Sequence, residues 1–104
     1  METLTNGATV NGLVHVHLAD TTNGPIQCQI QAVPALGDIH TFLNKCTDVS
    51  KMNSVLTVDF RASTNIISGT YTCQYITVPP GQSMTMVCIG AQLWMPYFNG
   101  GGYM

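Results

Sequence analysis

Charge is what this sequence has least of. Asp, Glu, Lys and Arg make up 8% of its 104 residues, where soluble domains ordinarily carry about 25%. Three cations, Lys45, Lys51 and Arg61, stand against five acids, Glu2, Asp20, Asp38, Asp48 and Asp59. So few cations cannot build the basic stripe that a phosphate backbone demands, which argues against nucleic acid as a partner. No apolar run approaches the ~18 residues of a membrane span, so no membrane partner is expected either. Met1-Glu2-Thr3 does not open a leader, because no basic start is followed by an apolar stretch. The expectation is a chain made and kept without export, as a virion protein is, or alternatively a mature extracellular chain.

Catalytic and metal signatures are also missing. The acids are scattered singly, no GxSxG surrounds a nucleophile, and no CxxC or other zinc spacing occurs. An enzyme is not expected, nor a cofactor. Disorder is excluded by the opposite argument: disordered chains pair low hydrophobicity with high charge, whereas 45% of this chain is aliphatic, aromatic or cysteine. With no linker and no internal repeat, residues 1–104 form one domain around one modest core.

What the chain does contain is Thr, Asn, Gln, Ser and Gly. A surface made of these lacks the mutual repulsion that keeps proteins apart, and so suits lattices, fibres and walls. Four Asn-Gly pairs, at 6–7, 11–12, 23–24 and 99–100, mark turns, since both residues tolerate positive φ. Alternating segments lie between turns. In Leu13 to Leu18 the pattern predicts Val14, Val16 and Leu18 inward, with His15 and His17 outward. Ile26, Cys28, Ile30 and Ala32 share one face of the next segment, and Leu56, Val58 and Phe60 one face of a third. Strands follow over Thr70 to Val78 and Ser83 to Ile89, joined by Pro79-Pro80-Gly81-Gln82. Ala91 to Phe98 can form a last strand, held to an edge or an end by Pro96. Ile39, Phe42, Leu43 and Cys46 recur at helical spacing behind Asp38 as N-cap, so a short helix over 38–47 competes there with a further strand. About six or seven short strands at this spacing indicate an all-β fold, a small β-sandwich of jelly-roll or immunoglobulin-like Greek-key type.

Ser68-Gly69-Thr70-Tyr71-Thr72-Cys73 resembles the F strand of an immunoglobulin-like domain, where a Tyr two residues before a cysteine ties its hydroxyl back to the chain. The resemblance implies structural roles for Tyr71 and Cys73, and Cys28 as the partner of Cys73 across the sheets. The same region is similar to cupredoxins in placing Gly-x-Tyr before a cysteine. No histidine lies between Cys73 and Met84 or Met86, however, so the two imidazoles of a blue-copper site cannot be supplied in that family's way. His15 and His17 have the HxH spacing that cupins use for metal. Two imidazoles alone do not hold an ion firmly, and the pair reads instead as a pH-sensitive one at an interface. The four cysteines read as small buried hydrophobes, free or partly paired.

The physical style resembles that of small phage virion proteins of the head-decoration or tail kind. It predicts a structural, self-associating subunit of a virion or extracellular fibre, with itself and a larger protein assembly as partners. Residues 91–104 form a Gly-rich aromatic end, in which Trp94, Met95, Tyr97, Phe98, Tyr103 and Met104 are the candidate subunit contact. The alternative is a carbohydrate-binding module that stacks sugars on Trp94, Tyr97 and Tyr103. A small metal or redox protein is a third.

Overall fold

The computed structural model describes residues 1–30, 36–51, 53–61, 65–68, 71–90 and 93–97; the side chains of 49, 65–68, 71–73 and 97 lie outside that description. Ten strands run in chain order: β1 (Glu2–Thr3), β2 (Val16–Ala19), β3 (Ile26–Gln29), β4 (Ile39–Asn44), β5 (Leu56–Asp59), β6 (Asn65–Ser68), β7 (Tyr71–Cys73), β8 (Tyr75–Val78), β9 (Ser83–Gly90) and β10 (Leu93–Tyr97). They make two sheets, one of seven strands in the order β1-β2-β4-β9-β10-β6-β7 and one of three, β3-β5-β8. The all-β sandwich expected from the alternating pattern is what forms. Its hydrogen bonding is mixed. β1 with β2, β2 with β4, β6 with β10 and β3 with β5 are parallel, unlike the antiparallel sheets of an immunoglobulin domain.

The segment 38–47 is a strand, not the helix that its spacing allowed. β4 is hydrogen-bonded on both sides, to β2 and to β9, and β-branched Ile39 and Thr41 suit that setting. Its inward row is His40, Phe42 and Asn44, followed by Cys46, all buried, while Ile39 is 46% exposed. Period two is therefore complete, but half of it is polar. A second correction concerns β2. His17 and Ala19 are buried and Val16 is exposed, the reverse of the facing that hydrophobicity alone predicts. By contrast Cys28 and Ile30, like Leu56, Val58 and Phe60, point inward as expected.

The core fills the space between the sheets. Trp94 of β10 is fully buried, with its ring 5.3 Å from that of Phe60 in an edge-on arrangement, and Phe60 in turn meets Phe42 at 6.4 Å. Cys28, Cys46 and Cys88 are free and buried, so Cys28 is not half of an inter-sheet disulfide. Burial pushes the Cys28 thiol up to about 12, which keeps it an inert hydrophobe.

The sheets are also tied by a polar staple. Asn44, on the large sheet, donates from Nδ2 to the Val78 carbonyl of the small sheet at 3.0 Å. Its Oδ1 accepts from the Cys46 N–H at 3.2 Å and lies 3.0 Å from the Thr21 hydroxyl. The turn that carries the chain from β8 to β9 closes beside it: Gln82 N–H bonds Pro79 O at 3.1 Å and Gly81 N–H bonds Asn44 O at 3.0 Å. Gly81 sits there at φ 75°, a region that favours glycine. Asn44→Ala removes the side-chain bond to the Val78 carbonyl and leaves the buried Cys46 N–H without its acceptor. We expect it to cost about 2–4 kcal/mol in urea melts, the sum of one or two lost bonds and an unsatisfied buried group.

Candidate functional site

Two features stand out, back to back on the large sheet. The first is its outward face. Registers place Val16 opposite Thr41, and Ile39 and Met95 both opposite Val87, so these side chains share one side. Leu18 and Leu43 continue it on β2 and β4, and Thr85 and Ile89 on β9. Thr41 and Thr85 are hydrogen-bonded to one another through their hydroxyls at 2.9 Å. None of these outward positions of β2, β4 and β9 carries charge. Ile39, Met95, Ile89 and Val16 are 46, 43, 41 and 37% exposed. Leu13 and Leu36, still more exposed, precede the parallel strands β2 and β4 and so lie at the same end of the sheet.

The second feature is buried directly beneath. Glu2 Oε1 lies 2.7 Å from His17 Nδ1, and His17 Nε2 lies 2.8 Å from His40 Nδ1. A carboxylate can only accept, so His17 Nδ1 carries a proton and donates it. The neutral ring then accepts at Nε2, His40 donates from Nδ1, and His40 Nε2 is left as a bare lone pair. That atom has no hydrogen-bond partner among the described residues. Both imidazoles are fully buried, His17 stacked on Phe42 at 5.2 Å and His40 beside Trp94 at 5.8 Å. Burial holds His17 below the usual histidine range against the opposing pull of Glu2, and holds His40 below it too, helped by charge on His17 and opposed by Asp38. The Val14 carbonyl also favours the protonated form of both rings.

Of the residues singled out from sequence, His17 belongs to this relay, while His15 is exposed and donates from Nδ1 to the Ile39 carbonyl at 3.0 Å. The HxH spacing therefore does not bring the two rings to one task. Among the described residues no group of three or more His, Cys, Asp or Glu side chains is placed to hold a metal. Trp94 is a core residue rather than a contact anchor, corrected by its complete burial. Met95 does point outward. Tyr97 lies on β10 opposite Thr85, and its side chain, like those of Tyr71 and Cys73, is outside the described residues, as are Phe98, Tyr103 and Met104 altogether. Sequence reasoning missed Glu2 and His40. The signal was present in the period-two row of His40, Phe42, Asn44 and Cys46, obscured by reading polar residues as outward.

Set against known proteins, the chain matches no family model, and no curated protein matches it in sequence.

Proposed function

We propose that the protein is a structural subunit that associates with copies of itself, as the building element of a virion or extracellular fibre. The observation that carries this reading is the uncharged, partly exposed apolar face formed by β2, β4, β9 and β10. A monomer gains nothing from leaving Ile39, Met95, Ile89 and Val16 in water. Against a second copy the same face is self-complementary, because a surface without charge meets no like-charge repulsion across a two-fold axis. The chain's low overall charge works in the same direction. The carbohydrate-binding alternative loses one of its three stacking rings, since Trp94 is buried.

The test is mass by light scattering over a dilution series. Full-length protein is expected to be oligomeric at micromolar concentration. Ile39→Lys with Met95→Lys should weaken association by about thirtyfold or more, the effect of losing one well-packed contact residue, with an unchanged circular-dichroism spectrum. Truncation after Phe98 then reports whether the Gly-rich end adds to the contact. A wild-type protein that is monomeric at high micromolar concentration overturns the proposal.

A further inference from the structure

The large sheet ends at β1, and β1 is lightly held. Only Glu2 and Thr3 are in register with β2, opposite His17 and Leu18. Leu4 N–H adds one bond to the Leu18 carbonyl at 2.8 Å and its side chain enters the core, Asn11 N–H donates to Glu2 Oε1 at 3.1 Å, and the relay supplies the rest. We propose that the Glu2–His17–His40 relay is a proton-operated latch on the N-terminal strand: neutral, it closes β1 onto β2, and protonated, it releases residues 1–5 while the sandwich stays folded. Release also loosens the outward face of the sheet. That second clause rests on the self-association proposed above; the latch itself does not.

The geometry leaves no place for another proton between the two rings. At 2.8 Å a single hydrogen lies between His17 Nε2 and His40 Nδ1, so the chain requires one defined tautomer at each ring. A proton added to His40 Nε2 puts charge on a wholly buried ring at an atom with no described partner. One added to His17 Nε2 sets N–H against N–H. The titratable groups around the pair are Glu2 on β1, His15 ahead of β2, Asp38 ahead of β4, and Cys28 on β3, whose thiol senses Glu2. Met86 lies opposite His40 on β9 and Trp94 beside it on β10, and neither titrates. No Lys or Arg faces the rings from these elements. The Val14 carbonyl and the two carboxylates favour an added proton and His15 opposes it, while burial outweighs the groups that favour it. Opening the strand lets water reach His17, and the proton is then taken up without that penalty.

The release is local because the chain is anchored immediately after it. Asn6 Oδ1 accepts from Gln27 N–H at 2.9 Å, Gly7 N–H donates to Gln27 O at 2.7 Å, and Val10 N–H donates to Gln29 O at 2.8 Å. Leu4 is the core side chain that must leave. Successive side chains alternate across a strand, so Val16 and Leu18 flank His17, and Ile39 and Thr41 flank His40, on the opposite face. Movement of either imidazole is thus passed to the outward residues.

The experiment is amide hydrogen exchange of the full-length protein between pH 7 and 5, corrected for intrinsic rates, with light scattering on the same samples. Protection of the Leu4 amide should fall about tenfold per pH unit for each proton taken up below about pH 6.5. The Val10 and Phe60 amides, the latter bonded to Gln74 O at 2.7 Å, should keep theirs. Glu2→Gln keeps an acceptor oxygen but removes the charge that raises His17 in the closed state, so the fall should still begin at about pH 6.5 and extend to lower pH; a purely structural role would weaken Leu4 protection by the same factor at every pH. Leu4 protection that is flat across the range, or that falls in step with Phe60, overturns the latch. Oligomer mass that drops in the same interval supports the link to association. Constant oligomer mass while Leu4 opens overturns that link alone, and monomer mass at every pH overturns the self-association while leaving the latch standing.

Discussion

Trp94→Ala should lose a large share of the molecule's stability, about 3–5 kcal/mol, the range for deleting a large buried aromatic. A domain of this size has only about 5–15 kcal/mol in total. Trp94 is the largest fully buried side chain, and it closes the space between Phe60 on one sheet's side and His40 on the other's. Removing it leaves a cavity that neither the aromatic ring of Phe60 nor the hydrogen-bonded imidazole can move to fill. The measurement is equilibrium unfolding in urea, followed by circular dichroism. Trp94→Phe, which keeps a ring in the site, should cost distinctly less. An alanine variant with an unchanged midpoint would show that Trp94 is not a core residue and would reopen its role as a surface anchor.

Acid should be the other large effect. His17 and His40 titrate near 6.5 when unfolded and lower when folded, because burial penalises the charged rings. Between those values the unfolded chain binds more protons than the native one, so stability falls as pH falls. The loss begins near pH 6.5 and continues down to the folded values. Two such groups give a ceiling of about 3 kcal/mol between pH 6.5 and 5. The carboxylates act in a separate, lower window. Asp59 is held below its ordinary range by the Arg61 guanidinium, which pairs with it at 2.8 Å, so its contribution is present above the unfolded value near 4 and is lost only as pH falls further. Thermal melts at half-unit steps from pH 7 to 5 should show the first window, and His17→Gln with His40→Gln should flatten it. A wild-type melting temperature that does not change over that range would mean that the two rings take up their protons without leaving the core.

How much of this was readable in the sequence depends on which residues face inward. β3 and β5 present Cys28 and Ile30, and Leu56, Val58 and Phe60, to the core, and hydrophobic alternation finds them at once. β2 and β4 hide their inward rows behind His17, His40 and Asn44, each of which bonds a partner distant in sequence: Glu2, one another, and Val78. Alternation assigns such positions to water, and so turned β2 over and left β4 open to a helical reading. The same error concealed the candidate site twice. It placed the relay outside, and it placed Val16 and Leu18 inside, so the apolar outward face went unseen. A residue's polarity predicts its side only when its hydrogen-bonding partner is known, and that partner is set by the fold.

The strand order has a consequence for how the chain acquires its structure. β4 waits for β9, and β6 for β10, so the large sheet cannot close until both of those later strands exist. During synthesis β2 and β4 can pair, but their outward apolar row and their unfinished edge then stand open together, with Phe42 uncovered and Trp94 not yet made. Such a topology folds on the millisecond-to-second scale of non-local β proteins rather than in microseconds. Crowded nascent copies with that surface exposed are prone to meet one another before they are complete. Expression yield should therefore respond to temperature and to translation speed more steeply than the stability of the finished domain would suggest.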